Sequence, residues 1–296
     1  MLCGHLLDVG YSVIAIDSVK HGEPSLLHLA AHRRFEFTRG DVRDEVVMRD
    51  AVKRADVIVP LAAIVGTTAC DRDPWEARTV NVDAVALANR LRSTDQLIVM
   101  PATNSGYGAR SGDVYCTEDT PLEPISLYAR TKADAEALVL GSPNAITLRL
   151  ATVFGTSPRM RLDLLVNHFV WAAITDGYIV LFEKHFKRNY VHVRDVADCI
   201  AHCISNADEM VGRAYNVGLD SANLTKEELA LKVKEYVPSF YIHAAAVGSD
   251  TDQRNYIVSS ERLRSAGFTA RRTLDTGIPE LLNGYRMLRR QSFRNA

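Results

Sequence analysis

Residues 97–108 carry the sequence LIVMPATNSGYG, in which an apolar run leads directly into hydroxyl, amide and glycine residues. The apolar run predicts a buried strand, and the polar segment predicts a loop at the carboxyl end of that strand. Open parallel sheets bind ligands at this end of their strands. We therefore expect Thr103 and Ser105 to face a substrate oxygen, with an ordinary Ser/Asn/Gly turn as the alternative.

Residues 128–132 carry the sequence YARTK within a segment predicted to be helical. The i, i+4 spacing places Tyr128 and Lys132 on one face of that helix. A tyrosine with a pKa of about 10 is a poor base at neutral pH, whereas a nearby cation favours the phenolate and lowers its pKa. The pair predicts an acid/base centre at Tyr128, and an unrelated tyrosine and lysine on an exposed helix are the alternative.

Outward from these segments, short apolar runs alternate with helical patterns. The predicted strands are residues 11–16, 35–38, 57–61, 97–100 and 146–150. The predicted helices are residues 2–8, 46–54, 75–91 and 128–140. Alternation of this kind predicts an α/β fold with a doubly wound parallel sheet.

The pattern changes after Gly155. Predicted elements there are a helix at 162–175, strands at 178–182 and 190–193, a helix at 196–205, a strand at 214–217, a helix from 226, a strand at 241–245 and helices after 259. We expect residues 1–156 and 188–213 to form the sheet domain. Residues 157–187 and 214–296 are expected to form a smaller, interleaved α/β lobe.

Composition excludes several classes of protein. The 296 residues are 47% hydrophobic and 24% charged, as in an ordinary globular chain. With 35 basic and 36 acidic residues, the net charge of -1 provides no field that would recruit nucleic acid or an anionic membrane. Five cysteines without paired spacing argue against a secreted disulfide framework. We expect a soluble cytoplasmic protein.

The segment TNSGYG at 103–108, followed by Tyr128-x-x-x-Lys132, resembles the extended short-chain dehydrogenase/reductase family of the epimerase/dehydratase type. Further matching segments follow the same order along the chain. They are Asp17, Asp41-Val42, Leu61-Ala62-Ala63, Asn81, RLATVFG at 149–155, RNYVHVRD at 188–195 and YNVG at 215–218.

This resemblance implies a Rossmann-type fold that binds NAD in the larger domain and a nucleotide sugar in the smaller lobe. Tyr128 would be the acid/base, Lys132 its electrostatic partner and a ligand of the cofactor ribose, and Thr103 the hydroxyl that orients the sugar oxygen, with Ser105 as the alternative. The expected cofactor contacts are Asp17, Asp41, Val42, Leu61, Ala62, Ala63, Asn81, Tyr128 and Lys132. Asp17 at a strand end favours NAD over NADP, because its charge repels a 2′-phosphate.

The resemblance also implies substrate contacts in both lobes. The expected substrate-binding residues are Ser105, Thr152, Asn167, Arg188, Tyr190 and Arg254. An arginine is the natural bidentate partner for diphosphate oxygens. Relatives pair through two long helices of the sheet domain, so a homodimer is expected.

The reaction expected from the resemblance is epimerisation. NAD⁺ would take a hydride from a sugar carbon while Tyr128 removes the hydroxyl proton, and the ketosugar would then be reduced from its other face. A 4,6-dehydratase of this family would carry an acidic pair after the loop threonine, whereas this chain has Asn104 and Ser105. A reductase or dehydratase acting on a nucleotide sugar or another carbonyl compound is the alternative.

The family opens with a strand and a Gly-x-x-Gly-x-x-Gly turn that admits the pyrophosphate to a helix N-terminus. The segment MLCGHLLDVG at 1–10 aligns with the helix after that turn, which implies that the first strand and the turn are absent. We expect an internal start codon, with a truncated pseudoenzyme or nucleotide sensor as the alternative. The 296-residue form is expected to be poorly stable or poor in cofactor.

Two cysteine-containing segments contain side chains that could support other chemistry. Cys199, His202 and Cys203 lie within about one helical turn, but no second ligand pair accompanies them, so no metal site is expected. Cys116 in the loop before Tyr128 is a less favoured candidate for an additional acid/base.

Overall fold

The computed structural model describes residues 1–22, 24–110, 115–245, 248 and 254–288. Its strands are β1 (Val13–Asp17), β2 (Phe35–Arg39), β3 (Val57–Ile58), β4 (Leu97–Thr103), β5 (Tyr115–Cys116), β6 (Ala145–Leu150), β7 (Thr152–Phe154), β8 (Tyr178–Leu181), β9 (Lys187–His192), β10 (Arg213–Val217), β11 (Asn223–Thr225), β12 (Tyr241–Ala244) and β13 (Ile257–Val258). Its helices are α1 (Leu2–Asp8), α2 (Glu45–Arg54), α3 (Thr67–Arg72), α4 (Pro74–Arg78), α5 (Ala84–Leu91), α6 (Leu127–Leu140), α7 (Leu165–Thr175), α8 (Val193–Ser205), α9 (Ala207–Met210), α10 (Lys226–Tyr236), α11 (Glu261–Ser265) and α12 (Leu274–Tyr285).

The centre of the molecule is a four-stranded parallel sheet in the order β10-β6-β4-β3. Every residue of β4 is buried except the half-buried Thr103 at its carboxyl end. Strands covered by helices on both faces are expected to be apolar throughout, as the sequence of β4 is. The predicted α/β class with a parallel sheet is confirmed.

Strands β1 and β2 form a separate two-stranded parallel sheet. Within the described residues, no hydrogen-bonded strand joins β1 to β3, the edge of the four-stranded sheet. Side-chain contacts link the two parts instead: Lys20 bonds to Glu76, and Arg43 donates to Thr79 at 3.2 Å. The expected single sheet is thus divided into two hydrogen-bonded pieces.

Helix α6 lies across the four-stranded sheet and carries the Tyr-x-x-x-Lys segment. It begins after Ser126, whose side chain accepts a hydrogen bond from the Ala129 amide at 3.2 Å. Such a capping bond satisfies one of the free amides at a helix start. The fully buried Ala135 and Val139 on its inner face pack in one cluster with β4 and β6.

The predicted helix at 75–91 is continuous, but it contains a π-helical turn at Thr79–Asp83 between α4 and α5. The wider turn carries the fully buried Asn81 towards α6. Turns of this kind are frequent at functional sites.

The remaining strands form three small sheets, with orders β11-β9-β7, β12-β8 and β13-β5. One continuous hydrophobic cluster joins residues of the central sheet, such as Leu148, to those of the smaller lobe, such as Phe169 and Leu281. Strand β10 pairs with β6, so the central sheet includes residues up to Val217, beyond the predicted boundary at 213.

Candidate active site

The loop after β4 is organised by its own hydroxyl groups. Thr103 Oγ1 accepts a hydrogen bond from the Ser105 amide at 3.1 Å and donates one to Ser105 Oγ at 3.0 Å. The next residues form a 3₁₀ turn, Asn104–Tyr107. Gly108 follows with φ of 73°, and a Cβ there would lie 2.2 Å from the Glu123 carbonyl oxygen. Only glycine fits this backbone, so the loop has a fixed shape at the sheet edge.

Tyr128 lies in the first turn of α6 beside this loop. Burial raises the pKa of its phenol, while a hydrogen bond with Thr103 and the charges of Arg254 and Arg161 act in the opposite direction. The sequence predicted a pKa lowered by Lys132. The structure gives the opposite net direction, because burial, the largest contribution, outweighs the nearby cations.

Lys132 projects from α6 one turn later and is only 5% exposed. Burial lowers the pKa of its ammonium to about 8, and Glu136 opposes this change. No side chain or carbonyl among the described residues forms a hydrogen bond or ion pair with this ammonium. A buried ammonium is stable only if something pairs with it, so the geometry fits a bound ligand that offers hydroxyl oxygens.

Arg254 brings the smaller lobe to the same loop. Its guanidinium donates a hydrogen bond to Ser105 Oγ, and its charge acts on Tyr128. The structure therefore brings together four residues that the sequence singled out. These are Thr103, Ser105, Tyr128 and Arg254.

The predicted cofactor contacts lie on both sheets. Asp17 ends β1 and is exposed, with one carboxylate oxygen accepting from the Val19 amide at 2.7 Å. Arg43 binds the carboxylate of Asp41, with Nε to Oδ1 at 2.9 Å, and holds its pKa below the usual range. Val42 packs against a buried cluster. Leu61 and Ala62 are exposed and Ala63 is half-buried after β3.

Asn81 is fully engaged inside the protein. Its Oδ1 accepts from the Ile64 amide at 2.8 Å, and its Nδ2 donates to the Ile64 carbonyl at 3.0 Å and to Thr131 Oγ1 at 3.1 Å. These bonds hold the segment after β3 against α6. Its predicted contact with a cofactor stays a prediction.

Three of the four other predicted substrate residues are buried, and Thr152 is half-buried. Arg188 is 0% exposed, with its guanidinium carbon 5.9 Å from the centre of the Tyr256 ring. Asn167 accepts from the Gly155 amide at 3.1 Å and donates to the Arg161 carbonyl at 2.9 Å. Tyr190 is also fully buried, opposite the half-buried Thr152 in the β7–β9 register. Their roles in substrate binding stay predictions.

Three residues of this region were not predicted from the sequence to belong to the site. Arg161 and Cys70 both act on the pKa of Tyr128, and Cys70 lies in α3, a six-residue helix too short to give a period. Glu136 could have been identified from the sequence, because it lies four residues after Lys132 and therefore on the same helix face.

Tyr128 and the buried Lys132 lie beside a hydroxyl-rich loop at the carboxyl edge of a parallel sheet, an arrangement that fits a Rossmann-type nucleotide-binding enzyme. The model of the NAD dependent epimerase/dehydratase family matches residues 1–218. The chain belongs to this family. The resemblance inferred from its motifs and the expected cofactor, NAD, are thereby confirmed at the level of the family.

Individual relatives agree with this assignment. The low-salt glycan biosynthesis protein Agl12 of Haloferax volcanii is 25% identical over 284 residues, which are 93% of this chain and 90% of the relative. Among solved structures, dTDP-glucose 4,6-dehydratase from Bacillus anthracis in complex with NAD has a TM-score of 0.83 and 20% identity, covering 96% of this chain and 92% of its own. UDP-glucose 4-epimerase from Thermotoga maritima with UDP-glucose has a TM-score of 0.80 and 20% identity, covering 96% and 94%. The Rossmann-type fold is confirmed.

None of the helices in the described ranges is both long and apolar enough to span a membrane.

Proposed function

We propose that the enzyme is an NAD-dependent epimerase that acts on a nucleotide sugar through a transient keto intermediate. One observation favours epimerisation over dehydration. The loop that follows Thr103 continues with Asn104 and Ser105, so it offers no carboxylic acid to protonate a leaving hydroxyl. Elimination of water requires such an acid and base.

Tyr128 would exchange the proton of the sugar hydroxyl. Its pKa is raised in this structure, so the phenol is protonated at neutral pH and serves as the acid of the reduction half-reaction. Thr103 and the positive charges of Arg254 and Arg161 favour the phenolate, which the oxidation half-reaction needs. The same residue can thus act as base and then as acid.

Bound NAD supplies the hydride acceptor and donor of this chemistry. Lys132 would hold the nicotinamide ribose, because its ammonium is buried and lacks a partner among the described residues. Asp17 would accept hydrogen bonds from the adenosine ribose at the end of β1. Arg254 would bind the nucleotide diphosphate, for which a guanidinium is well suited.

Replacement of Tyr128 by phenylalanine tests the proposal. Tyr128→Phe removes the proton-transferring hydroxyl and keeps the ring, so turnover of nucleotide sugars should fall by about 10²-fold or more. The exchange of the sugar epimers is followed by chromatography across a panel of UDP- and dTDP-sugars. Tyr178→Phe is the matched control, because Tyr178 is 56% exposed on β8, away from the described loop. Full activity of Tyr128→Phe would exclude this mechanism.

A second candidate is a cofactor-poor protein that has the fold without turnover. This candidate is favoured by the division between the β1–β2 pair and the four-stranded sheet. The predicted cofactor contacts lie on both parts, and no hydrogen-bonded strand joins the two within the described residues. The homodimer and the cytoplasmic location stay predictions drawn from the family resemblance.

A further inference from the structure

A buried ion pair lies beneath α6, one helical turn from Lys132. Glu136 is 3% exposed and Arg149 on β6 is 7% exposed. Arg149 donates from Nε at 2.9 Å and from Nη2 at 2.7 Å, and both bonds reach the same carboxylate oxygen, Oε1 of Glu136. Oε2 receives no hydrogen bond from the residues described. The arginine therefore occupies one side of the carboxylate and leaves the other available.

Lys132 and Glu136 have the i, i+4 spacing that places two side chains on the same helix face, with Cβ atoms about 5–6 Å apart. Both side chains are almost completely removed from solvent. Charges interact more strongly there than at the surface, because water does not screen them. Glu136 is the charged neighbour that acts on Lys132, and it favours the ammonium form.

Arg149 is fixed from its far side as well. Its Nη1 donates to the Tyr107 hydroxyl and to the Glu118 carbonyl, both at 3.0 Å. The Tyr107 hydroxyl in turn donates to Asn216 Oδ1 on β10 at 2.7 Å. The active-site loop and β10 thus hold the guanidinium in place, and the guanidinium holds Glu136.

We propose that Glu136, oriented by Arg149, is a positioning residue that keeps Lys132 in its ammonium form and so sets the alkaline limit of catalysis. The inference rests on the proposed function, in which Lys132 must be charged to bind the cofactor ribose. Without Glu136, the buried Arg149 would be an uncompensated cation near Lys132 and would favour the neutral amine. Without Arg149, no guanidinium would offset the charge of the carboxylate, which would then favour the ammonium more strongly.

Other titratable groups face α6 from the elements packed against it. On α6 itself they are Tyr128, Arg130, Asp134 and Glu136, of which Arg130 and Asp134 are exposed, and from β6 and the 3₁₀ turn they are Arg149 and Tyr107. From the helices α3, α4 and α5 and the π-helical turn they are Cys70, Asp71, Arg72, Glu76, Arg78, Asp83 and Arg90. Apart from Cys70, which is buried, and Glu76, which pairs with Lys20, those on the helices are exposed and screened by solvent.

The test measures the pKa of Lys132 directly, by competitive labelling with acetic anhydride across pH and mass spectrometry of the Lys132 peptide. Glu136→Gln should lower this pKa by about one unit or more, and Arg149→Gln should raise it by a similar amount. The double variant should return close to wild type, because it removes both charges. Glu136→Asp, which retains the carboxylate, should resemble wild type more closely than Glu136→Gln.

The pH profile of turnover gives a second readout. The alkaline limb of kcat should move to lower pH in Glu136→Gln and to higher pH in Arg149→Gln. Near-ultraviolet circular dichroism shows whether Arg149→Gln folds. If it does not, the inference is tested by the difference in the Lys132 pKa between Glu136→Gln and the double variant. An unchanged labelling pKa across the folded variants of an active enzyme overturns the inference. Labelling requires no turnover, so the Lys132 pKa can be measured in an inactive chain. If the pKa shifts are as expected but the chain has no epimerase activity, the proposed function is overturned and the inference is not.

Discussion

At the scale of single residues, the two hydroxyls of the loop after β4 have different neighbours. Thr103 acts on the pKa of Tyr128, whereas Ser105 receives a hydrogen bond from Arg254. The first interaction acts on the phenol proposed to transfer the proton, and the second links the loop to the smaller lobe. Thr103 should therefore affect the chemical step, and Ser105 should mainly affect substrate binding.

Thr103→Val keeps the shape of the side chain and removes the hydroxyl. We expect kcat to fall by about 10²-fold, within the usual range for a group that assists proton transfer. Thr103→Ser should retain most of the activity, and Ser105→Ala should change KM more than kcat. Steady-state kinetics on the sugar that proves to be the substrate provide the measurement. A kcat loss in Ser105→Ala as large as that in Thr103→Val would assign the role to Ser105.

Two local patterns, an i, i+4 pair and a polar strand end, indicated Tyr128, Lys132 and Thr103 as candidates, and their roles stay predictions. The direction of the pKa shift of Tyr128 was not predictable in the same way. It depends on burial and on Arg161 and Arg254, which are distant in sequence and are brought near only by the fold. Residue types can thus be found from local patterns, whereas their protonation depends on tertiary structure.

At the scale of elements, Glu280 joins α12 to the segment after β7, the end of β9 and the start of α8. Its carboxylate accepts from the Thr156 amide at 2.9 Å and from Arg194 Nη1 at 2.6 Å, and it lies 3.2 Å from His192 Nε2. Burial alone would raise the pKa of Glu280, but the contact with His192 and the bonds from Thr156 and Arg194 hold it far below its usual range. The ionised carboxylate therefore stabilises the docking of α12.

Glu280→Gln should lower the free energy of unfolding at pH 7 by about 1–3 kcal/mol, the cost of leaving charged hydrogen-bonding partners unmatched. The pKa of Glu280 is lower in the folded state than the unfolded value of about 4.3. The ionised carboxylate therefore contributes fully to the free energy of unfolding at pH values above the unfolded-state pKa. This contribution is lost as the pH falls through the folded-state pKa. Urea unfolding at pH 7 and pH 3 should show the difference between wild type and Glu280→Gln shrinking in acid.

Glu235→Gln is the control for this experiment, because the side chain of Glu235 is 60% exposed and pairs only with Lys232. Its effect should be small at both pH values. A difference between wild type and Glu280→Gln that stays constant from pH 7 to pH 3 would contradict the assignment.

The longer elements were predictable and the short ones were not. Helix α1 has the predicted bounds, and the predicted helix at 46–54 differs from α2 by one residue. Strands β7, β11 and β13, with two or three residues each, were missed because so short a segment shows no period. They exist through pairing with partners remote in sequence, such as β9 and β5.

At the scale of the whole molecule, charge is arranged locally and not as a net field. The net charge is -1, yet Arg161 and Arg254 both act on Tyr128. The net charge predicts no large overall field, and composition does not reveal this local concentration of cations. An anionic nucleotide sugar would be attracted at this site while the protein as a whole stays nearly neutral.

The two hydrogen-bonded sheets determine the last prediction, which concerns the cofactor content of the 296-residue chain. Asp17 and Asp41 follow the strands of the β1–β2 pair, whereas Tyr128 and Lys132 lie on the helix above the four-stranded sheet. A dinucleotide that contacts the residues of the β1–β2 pair and those of α6 needs a fixed distance between the two sets. Within the described residues, the two sheets are connected by side-chain contacts and not by hydrogen bonds between strands.

We therefore expect the purified chain to release well below one NAD per chain on denaturation, as measured by absorbance and mass spectrometry. Added NAD should still raise the unfolding temperature in a concentration-dependent way, because a ligand that binds only the folded state stabilises it by mass action. Lys132→Met should reduce that rise, since it removes the ammonium expected to bind the ribose. Near-stoichiometric NAD in the untreated protein would show that side-chain contacts suffice to hold the two sheets in register for the cofactor.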